Sequence, residues 1–378
     1  MVQVGTILLA LLPLTQALPA STSQQLTARD EFKDQLDAYQ TQASDNMKAI
    51  LANRTSGCTL DKVVVRKEWN ALSLAERVEY TDAVLCLRTK APITPPSVGN
   101  GIKSRYDDFV AVHVNQSSFV HWTIYFLPWH RYLIHRYEVS LREECGYTGY
   151  QPYWDWSLNG GNITAQAMFS GEVGSLGGNG QYIPHGPSNV TIPSTPPQFV
   201  NIPAGTGGGC IQDGPFAGIN VTMGPLGPPF SNNAFDDANA GCVTRDFRDG
   251  QLMGTSTYDK VAATVASIDI DAFSGGMDGL HGSGHTAIGG LQGDLFVSPS
   301  DPPFYHHHAQ VDRLWAIWQG LDFENRRDAV TGTLTLMNTP PSAKGTINTP
   351  MDLGYIGGAK TAGELGSTID GDFCYIYG

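Results

Sequence analysis

Six of the ten histidines fall into two triplets, and any fold of this chain must gather each triplet to a point. His113, His121 and His130 form the first; His281, His285 and His308 form the second. Three neutral imidazoles suit copper, zinc or nickel rather than calcium or magnesium, because nitrogen is a softer donor than carboxylate oxygen. Two facing triplets would hold two metals close together. No carboxylate or thiolate stands obviously among the ligands, so coupled copper and dioxygen chemistry is the leading expectation.

Residues 1–17, MVQVGTILLALLPLTQA, carry no charged side chain and have a short apolar core. They read as a secretory signal peptide, cleaved after Ala17 or as late as Ala20. The apolar run, interrupted by Pro13, is too short for a membrane span. The expected product is secreted and extracellular. Six cysteines allow three disulfides in an oxidising compartment, with 15 connectivities open. Cys210 and Cys242 bracket one irregular segment, which favours that pair. Sequons at Asn53, Asn115, Asn162, Asn189 and Asn220 suit a glycoprotein; Asn115, beside a candidate ligand, is expected to be buried and unmodified. The net charge of −13 argues against nucleic acid and anionic membrane surfaces, both of which need positive patches.

Residues 18–57 read as a polar entry segment with some helix, and 58–378 as one large domain. Within Val63–Leu87, LSLAERVEYTDAVLCL has helical spacing, and Ser73 followed by Glu76 predicts a capping box. Lys103–Cys145 should hold two helices. A continuous helix would put His121 and His130 on opposite faces, so a break at Pro128 is expected, with His130 starting the second helix. Residues 157–255 are rich in Gly, Pro, Ser and Asn and predict an ordered, loop-rich insert with short strands. The strongest helix signal follows: Asp301 as N-cap, Pro302 in the first turn, and an end at Gly320. The predicted fold is mainly α, a helical bundle core holding the binuclear copper site, with long irregular loops and a few short strands.

His281 and His285, four apart, share a face if their segment is helical, although Gly282 and Gly284 leave a loop open. In the run His306, His307, His308, neighbouring positions diverge by about 100° on a helix, so at most one binds a given metal. Helix geometry leaves open which of the three it is, the others being core residues or neighbours of the ligand. Asp312, one turn on from His308, is placed to accept the second N–H of a ligand imidazole.

The segment FLPWHR at 126–131, followed by Glu138, resembles the first copper signature of the tyrosinase, catechol oxidase and molluscan haemocyanin group. DPPFY at 301–305, then His308, Asp312 and Arg313, resembles the second. Trp154, Asp155 and Trp156, and Tyr375 and Tyr377 near the end, also look like members of that family. The resemblance covers roughly residues 58–378, loosely in the insert. It implies a type 3 pair of copper ions that bind O2. It also implies oxidation of an o-diphenol to an o-quinone while O2 is reduced to water. It selects His308 as the ligand, four before the aspartate. Partners are then small phenols and O2.

The chain departs from many relatives at four positions. Phe119 stands where some have a cysteine that crosslinks to a histidine. Met277 replaces a carboxylate, with Asp278 beside it. Gly282 replaces an asparagine found where monophenols are hydroxylated. Leu295 aligns where many plant relatives carry a bulky phenylalanine over the metal, so access should be open. Without that asparagine and carboxylate no base is evident for deprotonating a monophenol. The reading is therefore a secreted catechol oxidase with weak monophenol hydroxylation. Three alternatives stand beside it: a full tyrosinase, an oxygen-binding protein and a binuclear zinc hydrolase. The chain stops soon after the tyrosine motif, so no C-terminal shielding domain of the carrier type is expected. A zinc hydrolase would normally use bridging carboxylates.

Overall fold

The computed structural model describes residues 22–192, 196–224, 235–236 and 240–378; the expected signal peptide lies outside them. Helix α1 (Thr22–Ala52) fills most of the entry segment, more helix than its polar composition suggested. Leu36, Ala43, Met47 and Leu51 are buried at helical spacing, so one stripe docks while the rest stays wet. The chain then makes the short strand β1 (Val64–Arg66). Helix α2 (Leu74–Thr89) begins with the predicted capping box, Ser73 and Glu76 each bonding the other's backbone N–H.

Helices α3 (Arg105–Val120) and α4 (Phe126–Cys145) follow. The break between them falls at His121–Tyr125, not at Pro128. Trp122 turns the chain with φ at 51°, in the left-handed region. Pro128 sits inside the first turn of α4, where its missing N–H costs nothing because those donors have no intrahelical partner. Gly146 ends α4 with φ at 73°, its N–H returning to Arg142.

The insert is ordered where it is described. It carries strands β2 (Gly180–Tyr182), β3 (Ser188–Ile192), β4 (Gln198–Ile202), β5 (Gly208–Ile211), β6 (Asn220–Val221) and β7 (Gly241–Cys242). These pair antiparallel as β2 with β5, β3 with β4 and β6 with β7. The Cys210–Cys242 disulfide is present, with Cys58–Cys374 and Cys86–Cys145 as the other two. No cysteine is free, so none is available for a crosslink to histidine.

Helices α5 (Asp249–Thr255), α6 (Tyr258–Val265), α7 (Ile270–Ile288), α8 (Pro303–Leu321) and α9 (Phe323–Arg326) complete the bundle. Asp301 is not the cap of α8. Its buried carboxylate takes two bonds from Arg245, at 2.8 and 2.9 Å, and the helix starts at Pro303 without a side-chain cap. Arg245 also donates to the carbonyls of Leu176, Gly177 and Gly178, so one guanidinium ties the insert to the head of α8. Strands β8 (Pro350–Met351) and β9 (Lys360–Thr361) pair with each other, and β10 (Tyr375–Tyr377) runs parallel to β1. The result is a mainly helical fold with two-stranded sheets at its margins. Among the described residues no helix is long and apolar enough to cross a membrane.

Candidate metal centre

Helices α3, α4, α7 and α8 converge on the histidines. His113 lies within α3, His121 at its C-terminal cap and His130 one turn into α4. His281 and His285 share a face of α7, which runs unbroken through Gly282 and Gly284. His308 lies one turn into α8. Glycine costs an exposed helix interior about 1 kcal/mol relative to alanine. At Gly284 a reason is visible: a Cβ there would run into the His307 ring.

The described residues form two groups able to hold a metal: His113, His121 and His130, and His281, His285, His307 and His308. Within each, the ligand atoms lie within 4.8 Å of one another. The groups face each other. His130 and His308 stack with ring centroids 4.3 Å apart, and His121 lies 6.0 Å from His281. Phe304 packs against both groups, 5.1 Å from His113 and 4.2 Å from His308.

The tautomers follow from the hydrogen bonds. Nδ1 of His113 faces the Phe296 carbonyl at 2.8 Å, that of His121 faces Ser117 at 2.8 Å, and that of His130 faces Phe126 at 2.7 Å. Nδ1 of His285 faces the Gln292 carbonyl at 3.0 Å. A carbonyl only accepts, so each Nδ1 carries the proton and each Nε2 turns a lone pair inward. Nε2 of His113 and of His130 is buried without a partner. Nε2 of His285 sits 3.1 Å from that of His281 and 3.3 Å from that of His308. Facing lone pairs do not bond each other. Two nitrogens each about 2.0 Å from one ion lie about 3 Å apart, so the donor set fits a cation in the gap. Burial, the largest influence on every one of these rings, pushes their pKa values down, to about 4 for His121 and His285. Neutral rings are what a metal requires.

His307 differs. Its Nδ1 accepts a 3.0 Å bond from the Trp156 indole N–H. In the neutral ring the proton then sits on Nε2, which has no lone pair to give. Proximity alone places His307 with the candidate ligands, and its Nε2 too is buried without a partner. The indole bond separates it from them. His306 points elsewhere, edge-on to Trp69 and Tyr80 at 4.9 and 4.8 Å.

Asp312 does not bond a ligand imidazole. Its carboxylate accepts from Arg131 at 2.5 Å, from the hydroxyls of Tyr375 and Tyr377 at 2.7 and 2.6 Å, and from Arg66 at 3.5 Å. Backbone carbonyls do the orienting instead, which the residue types could not reveal. Asn115 is exposed rather than buried: two positions from His113 is about 200° around α3.

A cavity of about 410 Å³ opens beside the histidines. Its wall includes His121, His281, His285, Trp122, Asp278, Gly282 and Leu295. Met277 is fully buried in the core instead. Val200 and Ile202, from β4 of the insert, also reach the wall. Nothing in the loop-rich composition of 157–255 pointed to them. The tautomer-setting Trp156 was visible only as part of a familiar motif.

Residues 103–321 match the family described as the common central domain of tyrosinase. The tyrosinase-like protein orsC of Emericella nidulans is 40% identical over 302 residues, covering 75% of this chain and 82% of that protein. The N-acetyl-6-hydroxytryptophan oxidase ivoB of the same organism is 35% identical over 347 residues, covering 85% and 93%. A variant polyphenol oxidase of Thermothelomyces thermophila superposes with a TM-score of 0.82 at 36% identity, covering 94% of this chain and 98% of that one.

Proposed function

This chain belongs to the tyrosinase family, and from that premise we propose that it is a secreted catechol oxidase. Members of the family are copper oxidoreductases acting on phenols with O2. The finer reading is that o-diphenols are oxidised to o-quinones while monophenols are hydroxylated weakly. His113, His121 and His130 are proposed to hold one copper, and His281, His285 and His308 the other. When bound, the pair would supply the electron transfer by which two o-diphenols, each giving two electrons and two protons, reduce one O2 to two waters. The single observation that carries this is the inward turn of the imidazole lone pairs beside a cavity large enough for a small organic molecule. Three disulfides and a leading apolar segment support secretion.

The chain's own residues do three things in this reading. The carbonyls of Phe296, Ser117, Phe126 and Gln292 fix the imidazole tautomers. Phe126 and Phe304 pack against the rings and keep the interior dry. Leu295 and Gly282 leave the wall low, so a ring can approach. A catechol is oxidised by removing electrons and protons from hydroxyls already on the ring, whereas hydroxylation of a monophenol first needs its phenolate, and hence a positioned base or water. Gly282 offers no side chain for that, and Met277 is apolar and packed away; the carboxylate that α7 does bring to the wall, Asp278, stands a full turn before Gly282 and two before His285.

The test compares 4-methylcatechol with 4-methylphenol on the copper-loaded chain, following oxygen uptake. The catechol should be consumed promptly and the phenol slowly, after a lag. A Cβ at Gly282 meets nothing within 4 Å, so Gly282→Asn fits without strain. It should raise the phenol-to-catechol rate ratio on the order of ten- to a hundredfold. Equal rates without a lag, and no response to this substitution, would instead favour a full tyrosinase.

A second expectation separates His307 from His308. His307→Asn should retain two coppers per chain by elemental analysis, with altered activity. His308→Asn should retain about one. The opposite pattern reverses the two roles.

A further inference from the structure

Two carboxylates reach the wall of the cavity beside the histidines, and their situations differ. Asp294 accepts from the backbone N–H groups of Phe296 and Val297, at 2.8 and 3.2 Å, and so shapes its own loop. Asp278 has no hydrogen bond or ion pair with any described residue. It stands on α7 one turn before Gly282 and two before His285, on the face that lines the cavity. No lysine or arginine is among the residues lining this cavity. Val200, Ile202, Leu295 and Trp122 make the surroundings largely apolar.

A half-buried carboxylate in such a place carries a cost, because it has lost part of its water and gained no partner. Burial alone accounts for its altered proton affinity, and pushes the pKa up to about 6. Stability does not explain the residue: an alanine or a neutral polar group would serve the helix equally well. Unpaired charge on the wall of a binding cavity is instead the complement of a ligand charge.

We infer that Asp278 is the specificity-determining residue of this cavity, pairing with the ammonium group of an amine-bearing phenol whose ring lies against the histidines. The inference rests on the phenol-oxidase reading above and names its substrate class. Along α7, Asp278 stands about 6 Å from Gly282 and about 10 Å from His285 at 1.5 Å per residue. That is the scale of one aromatic ring carrying a short side arm. The net charge of −13 favours the same class, since it draws cations toward the protein as a whole.

The experiment uses the full copper-loaded chain and three catechols that differ in their side arm: dopamine, 4-methylcatechol and 3,4-dihydroxyphenylacetate. The unaltered protein should prefer dopamine over the neutral catechol about ten- to a hundredfold in kcat/KM, as a charge-assisted bond allows, and rank the acid last. Asp278→Asn should remove that preference, mainly through the KM for dopamine. Asp278→Glu should restore a large part of it. Because the carboxylate is unpaired, Asp278→Asn should keep or raise the melting temperature, whereas loss of a merely structural group would lower it.

A second arm needs no copper and no turnover. Phenethylamine, which cannot be oxidised here as a phenol, should bind the metal-free chain by calorimetry and lose most of its affinity in Asp278→Asn. Benzyl alcohol should bind both forms alike. No preference for dopamine in the unaltered chain, or an undiminished one in Asp278→Asn, overturns the inference. If no catechol is oxidised at all, the phenol-oxidase reading fails, and the phenethylamine arm still decides whether Asp278 anchors amines.

Discussion

Replacing His308 with alanine should remove about one copper per chain and lower catechol oxidation more than about a hundredfold. Loss of a residue that merely orients a ligand typically costs 10- to 100-fold, so loss of the ligand itself should exceed that. The ring is fully buried on α8, stacks on His130 across the gap and faces His285 Nε2 at 3.3 Å. It therefore touches both groups, as His281 does, and more closely. Alanine leaves a hole lined by Phe304, His281 and His285; the nearest other imidazole, His307 at 5.1 Å, is held by the Trp156 indole in the tautomer that protonates its Nε2. The remaining pair, His281 and His285, is a weaker chelate. Elemental analysis and oxygen uptake on the same preparation give both answers. A variant with two coppers and ordinary activity would remove His308 from the ligand set, and with it the reading of the second copper signature.

The candidate site was legible to the extent that its chemistry lies in residue type and spacing. Two histidine triplets, a four-residue gap and a histidine four before an aspartate point to the proposed ligand set, and the structure brings those histidines together in two facing groups. What holds those rings was not legible, because backbone carbonyls have no residue identity. The eye goes to Asp312, yet four Nδ1 atoms bond main-chain oxygens. The same limit explains the helix ends. Pro128 looked like a break but fits the first turn of α4. Asp301 had the right type for a cap, but Arg245, 56 positions earlier, claims its carboxylate. Both misreadings treat a local preference as decisive where a tertiary partner or a terminal position overrides it. In the insert, period and composition said only that the chain turns often. That one hairpin edge, Val200 and Ile202, walls the cavity is a property of the closed fold alone.

The arrangement of buried charge leads to the other large expected effect. Asp312→Ala should destabilise the chain by about 3–5 kcal/mol, the loss expected when one partner of a buried ionic cluster is removed. The carboxylate is buried between the guanidiniums of Arg131 and Arg66 and the hydroxyls of Tyr375 and Tyr377. These join α4, α8, β1 and β10, so the cluster pins the ends of the domain onto the helices that carry His130 and His308. Alanine would leave Arg131 without a counter-charge and two tyrosine hydroxyls without an acceptor, while Arg66 would keep its 2.9 Å pair with Glu138. Burial by itself would raise the Asp312 pKa; the attraction of Arg131 and Arg66, with bonds from Tyr377 and Tyr375, outweighs it and holds the value below the ordinary one. The sign of the pH dependence follows. In the unfolded chain an aspartate titrates near about 3.9. The stabilisation is fully present above that pH and fades as pH falls through the lower folded value. Urea denaturation at neutral pH, repeated down into the acid range, should show a deficit in the variant that narrows as the unaltered protein loses this contribution. A deficit below about 1 kcal/mol at neutral pH, the level of an exposed ion pair, would mean that the cluster does not hold the domain together.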